Sequence, residues 1–474
     1  MSSRVKIVST LAAMIVALGS MAMAQTRVTV TIHATQAGAK IPNDFAGLSF
    51  ETAAILPNSD GQHMFRATNR PLIHLFRTLG IRNLRIGGNT ADRPSVKIPG
   101  DADIDDLFTF ANASGAKVIY TLRMRESKPD DAVPIAWYLA KHYAKDIDCL
   151  AIGNEPNVYE KEYPAYRDEW KKFETAITAA GAAPKMKFCG PSTTPNKAGW
   201  ASDFARDFAG TGRLRYITQH SYPGGNGKLA EAEVARDKML SPGLVASYEK
   251  MYETFVPAVR AEGLQYRIEE TNNFYNGGAE GASNTFASAL WGLDYLFWWA
   301  EQGALGVNFH TGDNVAAGEQ QRTCWYAVFW TTPDGYAVHP LGYAMKAFDV
   351  ASHGAILPAV ISAEGTGPNM TAYAVKGNDG RVYVTLINKE HGTTASEVAV
   401  TLDAGRQYSD VATMALTAPK DDITATSGIT LGGAEISEAG NWSGAWTSWH
   451  ASARKNVQVK VPAGSVLIVR LGGH

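Results

Sequence analysis

Residues 148–157 read Asp148-Cys149-Leu150-Ala151-Ile152-Gly153-Asn154-Glu155-Pro156-Asn157. An apolar run of strand length stops at two polar side chains. Pro156, which cannot donate to a ladder, helps end it there. The run is too apolar for a sheet with one wet face and suits a strand covered on both sides. Seven further runs share this build, at 45–51, 83–88, 117–123, 186–192, 216–222, 265–271 and 306–312. Helical stretches lie between them, among them 70–79, 135–144, 166–180, 248–262 and 285–301. Eight βα units of about 35–40 residues each predict an α/β fold, a (β/α)8 TIM barrel over residues 46–351. A doubly wound open sheet would call for a nucleotide fingerprint, which Arg85-Ile86-Gly87-Gly88-Asn89 does not supply. The very apolar stretch 290–300 is too short to span a membrane and reads as a buried helix.

The texture changes after about residue 352. Helical periodicity gives way to short alternating runs at 370–375, 381–388, 397–402, 411–416, 457–461 and 465–471. Turn-forming stretches such as Gly377-Asn378-Asp379-Gly380 and Asp403-Ala404-Gly405 separate them. Residues 352–474 are therefore expected to form an appended antiparallel β-sandwich. The alternating run 27–32 precedes the barrel, and residues 25–45 are assigned to the sandwich as an N-terminal strand. Arg4 and Lys6, an apolar run over 7–18 and Ala22-Met23-Ala24 predict an export signal over residues 1–24. The expected location is periplasmic or secreted, with no membrane association once the signal is cleaved.

The chain has 474 residues, of which 45% are apolar and 10% aromatic. That is enough for a large core and excludes a disordered chain. With 44 Lys and Arg against 46 Asp and Glu, nothing points to a nucleic-acid partner. Arg66, Arg70, Arg77, Arg82, Arg85 and Arg93 fall on one helix and one strand, and read mostly as a solvated face. The three cysteines, Cys149, Cys189 and Cys324, make no disulfide framework and no zinc spacing, so each is expected to be a packing residue.

The strand ends carry the chemistry. In chain order they present Glu51, Gly88-Asn89, Arg123, Asn154-Glu155, Ser192, His220-Ser221-Tyr222, Glu270 and His310. In a barrel these ends share one face, where side chains converge on a pocket. Glu155 ends the fourth strand. Either Glu269 or Glu270 ends the seventh, and strand alternation would send the two to opposite sides. Two carboxylates meeting in one pocket suit glycoside hydrolysis, one as proton donor and the other as nucleophile or base. No metal or organic cofactor is needed for this, and the expected partner is a carbohydrate.

Asn-Glu-Pro after the fourth strand and Glu at the end of the seventh resemble the clan of retaining glycosidases built on (β/α)8 barrels. The run Glu270-Thr271-Asn272-Asn273-Phe274-Tyr275-Asn276-Gly277-Gly278-Ala279 is more selective and resembles glycoside hydrolase family 79, which holds β-glucuronidases and heparanases. Asn284 to Trp291, Leu84 to Asn89 and His220-Ser221-Tyr222-Pro223 fit the same family, so the resemblance covers nearly the whole exported chain. It implies that Glu155 is the acid/base and Glu270, rather than Glu269, the nucleophile. It also implies that the loop Tyr275-Asn276-Gly277 binds a sugar carboxylate.

Charge-assisted hydrogen bonds from a Tyr hydroxyl and backbone N–H groups would serve that purpose. They would also avoid a Lys or Arg beside Glu270, whose charge such a cation would hold too tightly. Asn154 is expected to bind the 2-hydroxyl. Tyr222 and Tyr326 are expected to orient Glu270 or touch the sugar, and Glu51 to bind ring hydroxyls. His220 and His310 read as supporting or core residues. The resulting expectation is a retaining exo-β-glucuronidase. The alternatives are a heparanase-like endo-enzyme, a relative acting on neutral β-linked sugars, and a glycan-binding module without catalysis.

Overall fold

The computed structural model describes residues 26–182, 186–317 and 320–473. The expected export signal lies outside them. Strand β1 is Thr26–Ile32, and eight further strands follow: β2 Ala46–Glu51, β3 Asn83–Gly87, β4 Lys117–Leu122, β5 Ile147–Ile152, β6 Phe188–Thr193, β7 Leu214–Ser221, β8 Tyr266–Thr271 and β9 Val307–His310. Strands β2 to β9 pair in parallel in chain order, and β2 pairs with β9 to close a barrel. Each of the eight runs read from the sequence falls on one barrel strand. Their side chains are buried almost throughout, which is why the runs are continuously apolar and not alternating.

Helices fill the connections. The one over Pro129–His142 begins six residues before the expected start. Pro134 lies inside the helix, which starts at Pro129, and the Asp131 carboxylate accepts a hydrogen bond from the Lys128 backbone at 3.0 Å. The helix Phe286–Glu301 is apolar on every side because it is covered on every side. Helix Pro340–Ala351 packs on it, and Phe297 stacks on Tyr373 from the C-terminal domain at 5.1 Å. Asp294 on the same helix receives Lys389 Nζ at 2.8 Å and the hydroxyls of Thr371 and Tyr373 at 2.7 Å each. Among the described residues, no helix is long and apolar enough to cross a membrane.

After β9 come two hairpins, β10 Asn314–Ala317 with β11 Gln320–Thr323, and β12 Phe329–Thr332 with β13 Gly335–Val338. The C-terminal strands are β14 Gly354–Leu357, β15 Ala359–Ala363, β16 Met370–Gly377, β17 Val382–Asn388, β18 Val398–Thr417, β19 Thr430–Leu431, β20 Thr447–Val461 and β21 Ser465–Gly472. They form one hydrogen-bonded network with β1, in the order β14-β16-β17-β21-β18-β1-β15, with β19 and β20 also on β18.

Alternate residues face opposite ways. Val384, Leu386, Val400, Val459 and Val469 enclose a core of the domain's own, while Ile387, Val466 and Ile468 pack toward the barrel. Two local expectations change. The runs 397–402 and 411–416 are halves of the single strand β18. Asp403 Oδ1 accepts from the Gly405 backbone, which takes φ +73°, and pairing with β20 slips at this point, so the segment is a bulge rather than a turn. The domain is also not wholly antiparallel, because β1 runs parallel to β18. The whole barrel serves as the crossover between those two strands.

Cys149 and Cys189 form a disulfide, against the expectation that each merely packs. They sit on the adjacent strands β5 and β6, with Cα atoms 5.8 Å apart. Strand neighbourhood in the barrel brings them together, and their spacing in the chain carries no sign of it. Cys324 is free and buried.

Candidate active site

The carboxyl ends of the barrel strands surround a cavity of about 570 Å³ that reaches Glu155, Tyr222, Glu270, Tyr275, His310 and Tyr326. Glu155 lies three residues past β5, in the left-handed region at φ 45°, and its N–H donates to Ser192 O at 3.0 Å. Asp92 shapes this turn from below. Its carboxylate accepts from the Asn154 backbone and the Tyr159 hydroxyl at 2.7 Å each, and from the Met124 backbone at 2.7 Å.

Glu270 sits at the end of β8. Its Oε1 accepts from the Tyr222 hydroxyl at 2.9 Å, and its Oε2 from Arg85 Nη1. One oxygen of each carboxylate and a ring nitrogen of His220 all lie within 4.8 Å of one another.

Arg85 is the residue that sequence reasoning misplaced. It is wholly buried inside β3, not part of a solvated face, and it ion-pairs with Glu270 while donating to Asn154 Oδ1 at 2.7 Å and Ser49 Oγ at 3.1 Å. The cation expected to be absent beside Glu270 is therefore present. Gly87 makes room for it, since a Cβ there would collide with the guanidinium. The signal was available in Leu84-Arg85-Ile86, where a charge stands inside a strand too apolar to tolerate one unpaired.

Both histidines are buried and stand beside the carboxylates, as supporting residues would. His220 Nδ1 lies 3.1 Å from Glu155 Oε1 and 3.8 Å from Glu270 Oε1, and its Nε2 lies 3.6 Å from Glu269 Oε1. His310 Nδ1 is 3.9 Å from Glu270 Oε2, and its Nε2 is 3.6 Å from Glu51.

Burial alone would raise the Glu270 pKa. The charges of His220, His310 and Arg85, with the Tyr222 hydrogen bond, outweigh it and hold the carboxyl well below the usual range. Burial would lower His220, but the surrounding carboxylates push it up to about 9. Glu155, His220 and Glu270 are spaced closely enough to hold a metal ion. The Nδ1 that would ligate it is already taken up by Glu155 Oε1 at 3.1 Å, and Glu270 by Tyr222 and Arg85.

Glu269 and Glu270 do not simply face opposite ways. The β7–β8 register slips between Gln219 and His220, and the β8–β9 register between Ile268 and Thr271. With that irregularity Glu269 points into the barrel, where it takes the Ser192 hydroxyl, while Glu270 still reaches the cavity.

The remaining candidates divide. Asn154 is buried and engaged by Arg85, and it is not among the cavity-lining residues. Glu51 accepts from the Thr90 backbone and hydroxyl and from Ala316 N, so its carboxylate anchors the hairpin that walls the cavity. Tyr326 lines the cavity beside Tyr222, with ring centroids 6.3 Å apart. Tyr275 is 43% exposed and meets the Tyr222 ring edge-on. Asn276 takes φ 64° and donates from Nδ2 to Asn226, and Gly277 takes φ 89° with Thr323 O only 2.6 Å from where a Cβ would be. The N–H groups of Asn276 and Gly277 find no acceptor among the described residues.

Residues 372–468 match the profile of the glycosyl hydrolase family 79 C-terminal beta domain. The C-terminal domain of the chain is thus similar to that of glycoside hydrolase family 79. A β-glucuronidase of Aspergillus niger is 24% identical to this chain over 334 residues, 63% of its length. The chain spans 58% of that relative's length. In structure, the chain is similar to a 4-O-α-L-rhamnosyl-β-D-glucuronidase from Fusarium oxysporum, with a TM-score of 0.70 and 20% identity over 93% of this chain and 99% of that one. It is also similar to a family 51 arabinofuranosidase from Xanthomonas axonopodis pv. citri, with a TM-score of 0.68 and 15% identity over 94% of this chain and 100% of the other. At these identities the two structures bear on the fold alone.

Proposed function

We propose that the hydrolase is an exported, retaining exo-β-glucuronidase that releases terminal β-linked glucuronic acid, with or without a 4-O-methyl group. The observation that carries this reading is the approach of Glu155 and Glu270 to within 4.8 Å across one cavity. That gap fits the retaining separation of about 5–5.5 Å and leaves no room for the water an inverting enzyme places between its carboxyl groups. Glu270, held ionised by its neighbours, attacks the anomeric carbon. The glycosidic C–O bond breaks and Glu155 gives its proton to the aglycone oxygen. Glu155 then takes a proton from water, whose oxygen displaces Glu270 from the sugar.

The sugar carboxylate fits the loop after the nucleophile, where Tyr275, Asn276 and Gly277 line the cavity and the last two have N–H groups without an acceptor among the described residues. The names of the Aspergillus and Fusarium relatives agree with a glucuronide. Terminal action is supported by the hairpin β10–β11. Ala316, pinned by Glu51 and by Asn89 Nδ2 at 2.8 Å, walls one side of the cavity.

The test is a panel of aryl and oligosaccharide β-glucuronides beside the matching β-glucosides, with the first-formed anomer read by NMR. The reading expects β-glucuronic acid first, preference for glucuronides, and no turnover in Glu155→Ala or Glu270→Ala. An α anomer formed first, or full activity in the double variant, overturns it. Mid-chain cleavage would identify an endo-enzyme, and equal turnover of glucosides a neutral-sugar hydrolase.

A further inference from the structure

Glu269 has no part in the chemistry just described, yet it is among the most deeply buried charged groups of the barrel. Its side chain is fully enclosed. Oε1 accepts from the Ser192 hydroxyl and lies 3.6 Å from His220 Nε2, beyond hydrogen-bond length, and neither Oε2 nor that Nε2 has another hydrogen-bond partner. A carboxylate so placed is costly unless something uses its charge.

The groups facing it are His220, Arg85, Ser192 and the phenols of Tyr166 and Tyr216. Of these, His220 connects it to the cavity. The imidazole stands between Glu269 on its Nε2 side and Glu155 and Glu270 on its Nδ1 side, with Arg85 as the nearest opposing cation.

We infer that Glu269 is a positioning residue for the acid/base: by holding a proton on His220 Nε2, it leaves Nδ1 to share one further proton with Glu155. The geometry dictates the order. An Nε2 lone pair facing an ionised carboxylate at 3.6 Å would be repelled, so this nitrogen carries hydrogen. The second proton then lies on the 3.1 Å contact between Nδ1 and Glu155 Oε1. With the proton on Glu155 and the ring neutral, the acid is ready. Glu155 gives that proton to the aglycone oxygen as the C–O bond breaks, and the water that hydrolyses the glycosyl-enzyme returns one to the same contact. Proton number is conserved over the cycle, and Glu269 stays ionised throughout.

The inference rests on Glu155 being the acid/base, and the test separates the two claims. Wild-type enzyme, Glu269→Gln, Glu269→Asp and Ser192→Ala are assayed on phenyl and 2,4-dinitrophenyl β-glucuronide. The phenyl leaving group needs a proton and the dinitrophenyl group does not.

Glu269→Gln is expected to lower kcat/KM for the phenyl substrate by at least about 10-fold, a fraction of what general acid catalysis supplies. The dinitrophenyl substrate should change by less than about 3-fold on the same reasoning. The alkaline limb of the phenyl profile should move down by about one pH unit, because an opposite charge at this distance is gone. Glu269→Asp should restore part of the loss.

Nitrogen-15 shifts of His220 in the wild-type enzyme give a reading that does not depend on any variant folding. Hydrogen on Nε2 throughout the active range supports the inference, and a bare Nε2 overturns it. Equal losses on both substrates would also overturn it, since they mark a merely structural residue. If neither glucuronide is cleaved by wild-type enzyme, the functional reading fails while the tautomer result stands on its own.

Discussion

The change from Tyr275 to Phe tests the proposed carboxylate recognition apart from catalysis. Tyr275 is 43% exposed, its ring touches Tyr222 edge-on, and its hydroxyl is not engaged by any described residue. Removing the oxygen therefore leaves no buried group unpaired in the free enzyme. A hydrogen bond to a charged group contributes about 1.5–3 kcal/mol. The partial exposure of this ring favours the lower half of that range, because water can take the hydroxyl's place. About 1.5–2 kcal/mol corresponds to a 10- to 30-fold fall in kcat/KM for aryl β-glucuronides. The matching β-glucoside has no carboxylate to lose contact with, so its kcat/KM should move less than about 3-fold. The assay is the ratio of the two specificity constants at one pH, with the melting temperature as a check on the fold. An equal fall for both sugars would refute the reasoning, and so would an unchanged glucuronide rate.

Three further outcomes follow from the packing and charges. Cys189→Ala should cost about 2–4 kcal/mol in urea unfolding, and wild-type enzyme unfolded under reducing conditions should match it. Lys389→Met leaves Asp294 buried with only two hydroxyl donors, and should destabilise by about 3 kcal/mol or more by the same measurement. His220 is raised from its ordinary value of 6.5 to about 9, so its protonation favours the fold. That contribution should be complete below pH 6.5 and vanish as pH rises through 9, a loss that His220→Gln should largely abolish in urea midpoints taken at pH 6 and 9.5.

The barrel was legible because its strands are buried on both faces and end at polar residues, so composition alone marks both their extent and their direction. Glu155 and Glu270 were legible for the same reason, each standing at the boundary between an apolar strand and a turn. Arg85 was not, because it stands inside a strand, where the apolar count absorbs it and its neighbours Arg77, Arg82 and Arg93 suggest a surface. What Arg85 bonds to is set by which strand lies opposite across the barrel. The Cys149–Cys189 bond failed to show for a similar reason: β5 and β6 are neighbours only once the barrel closes. The parallel pairing of β1 with β18 joins strands separated by the whole barrel, and no local pattern encodes direction at that range. The bulge in β8 turned a choice between Glu269 and Glu270 into a site that uses the interior for one and the cavity for the other.

Taken alone, a cation against the proposed nucleophile opposes a transition state that is itself cationic, and the charges around Arg85 resolve this. Its guanidinium is shared among Glu270, Asn154 and Ser49, and it also feels Glu269 and Glu51. Arg85, His220 and His310 stand against the carboxyl groups of Glu51, Glu155, Glu269 and Glu270. Even with the proton on Glu155 and the His220 ring neutral, the carboxylates of Glu51, Glu269 and Glu270 stand against Arg85 and His310, and Glu269 is fully enclosed. Arg85 keeps Glu270 ionised and aimed. The buried acids behind the cations keep the field at the anomeric carbon from turning positive, so the developing oxocarbenium charge is met by preorganised negative groups and not by an isolated arginine. Any effect of Glu269 on charge stabilisation falls on both substrates alike, and the bound of about 3-fold set for the dinitrophenyl substrate limits it to a minor share of what the variant does. Only the dependence on leaving group separates that effect from proton delivery, which is why the dinitrophenyl substrate is the informative half of the comparison.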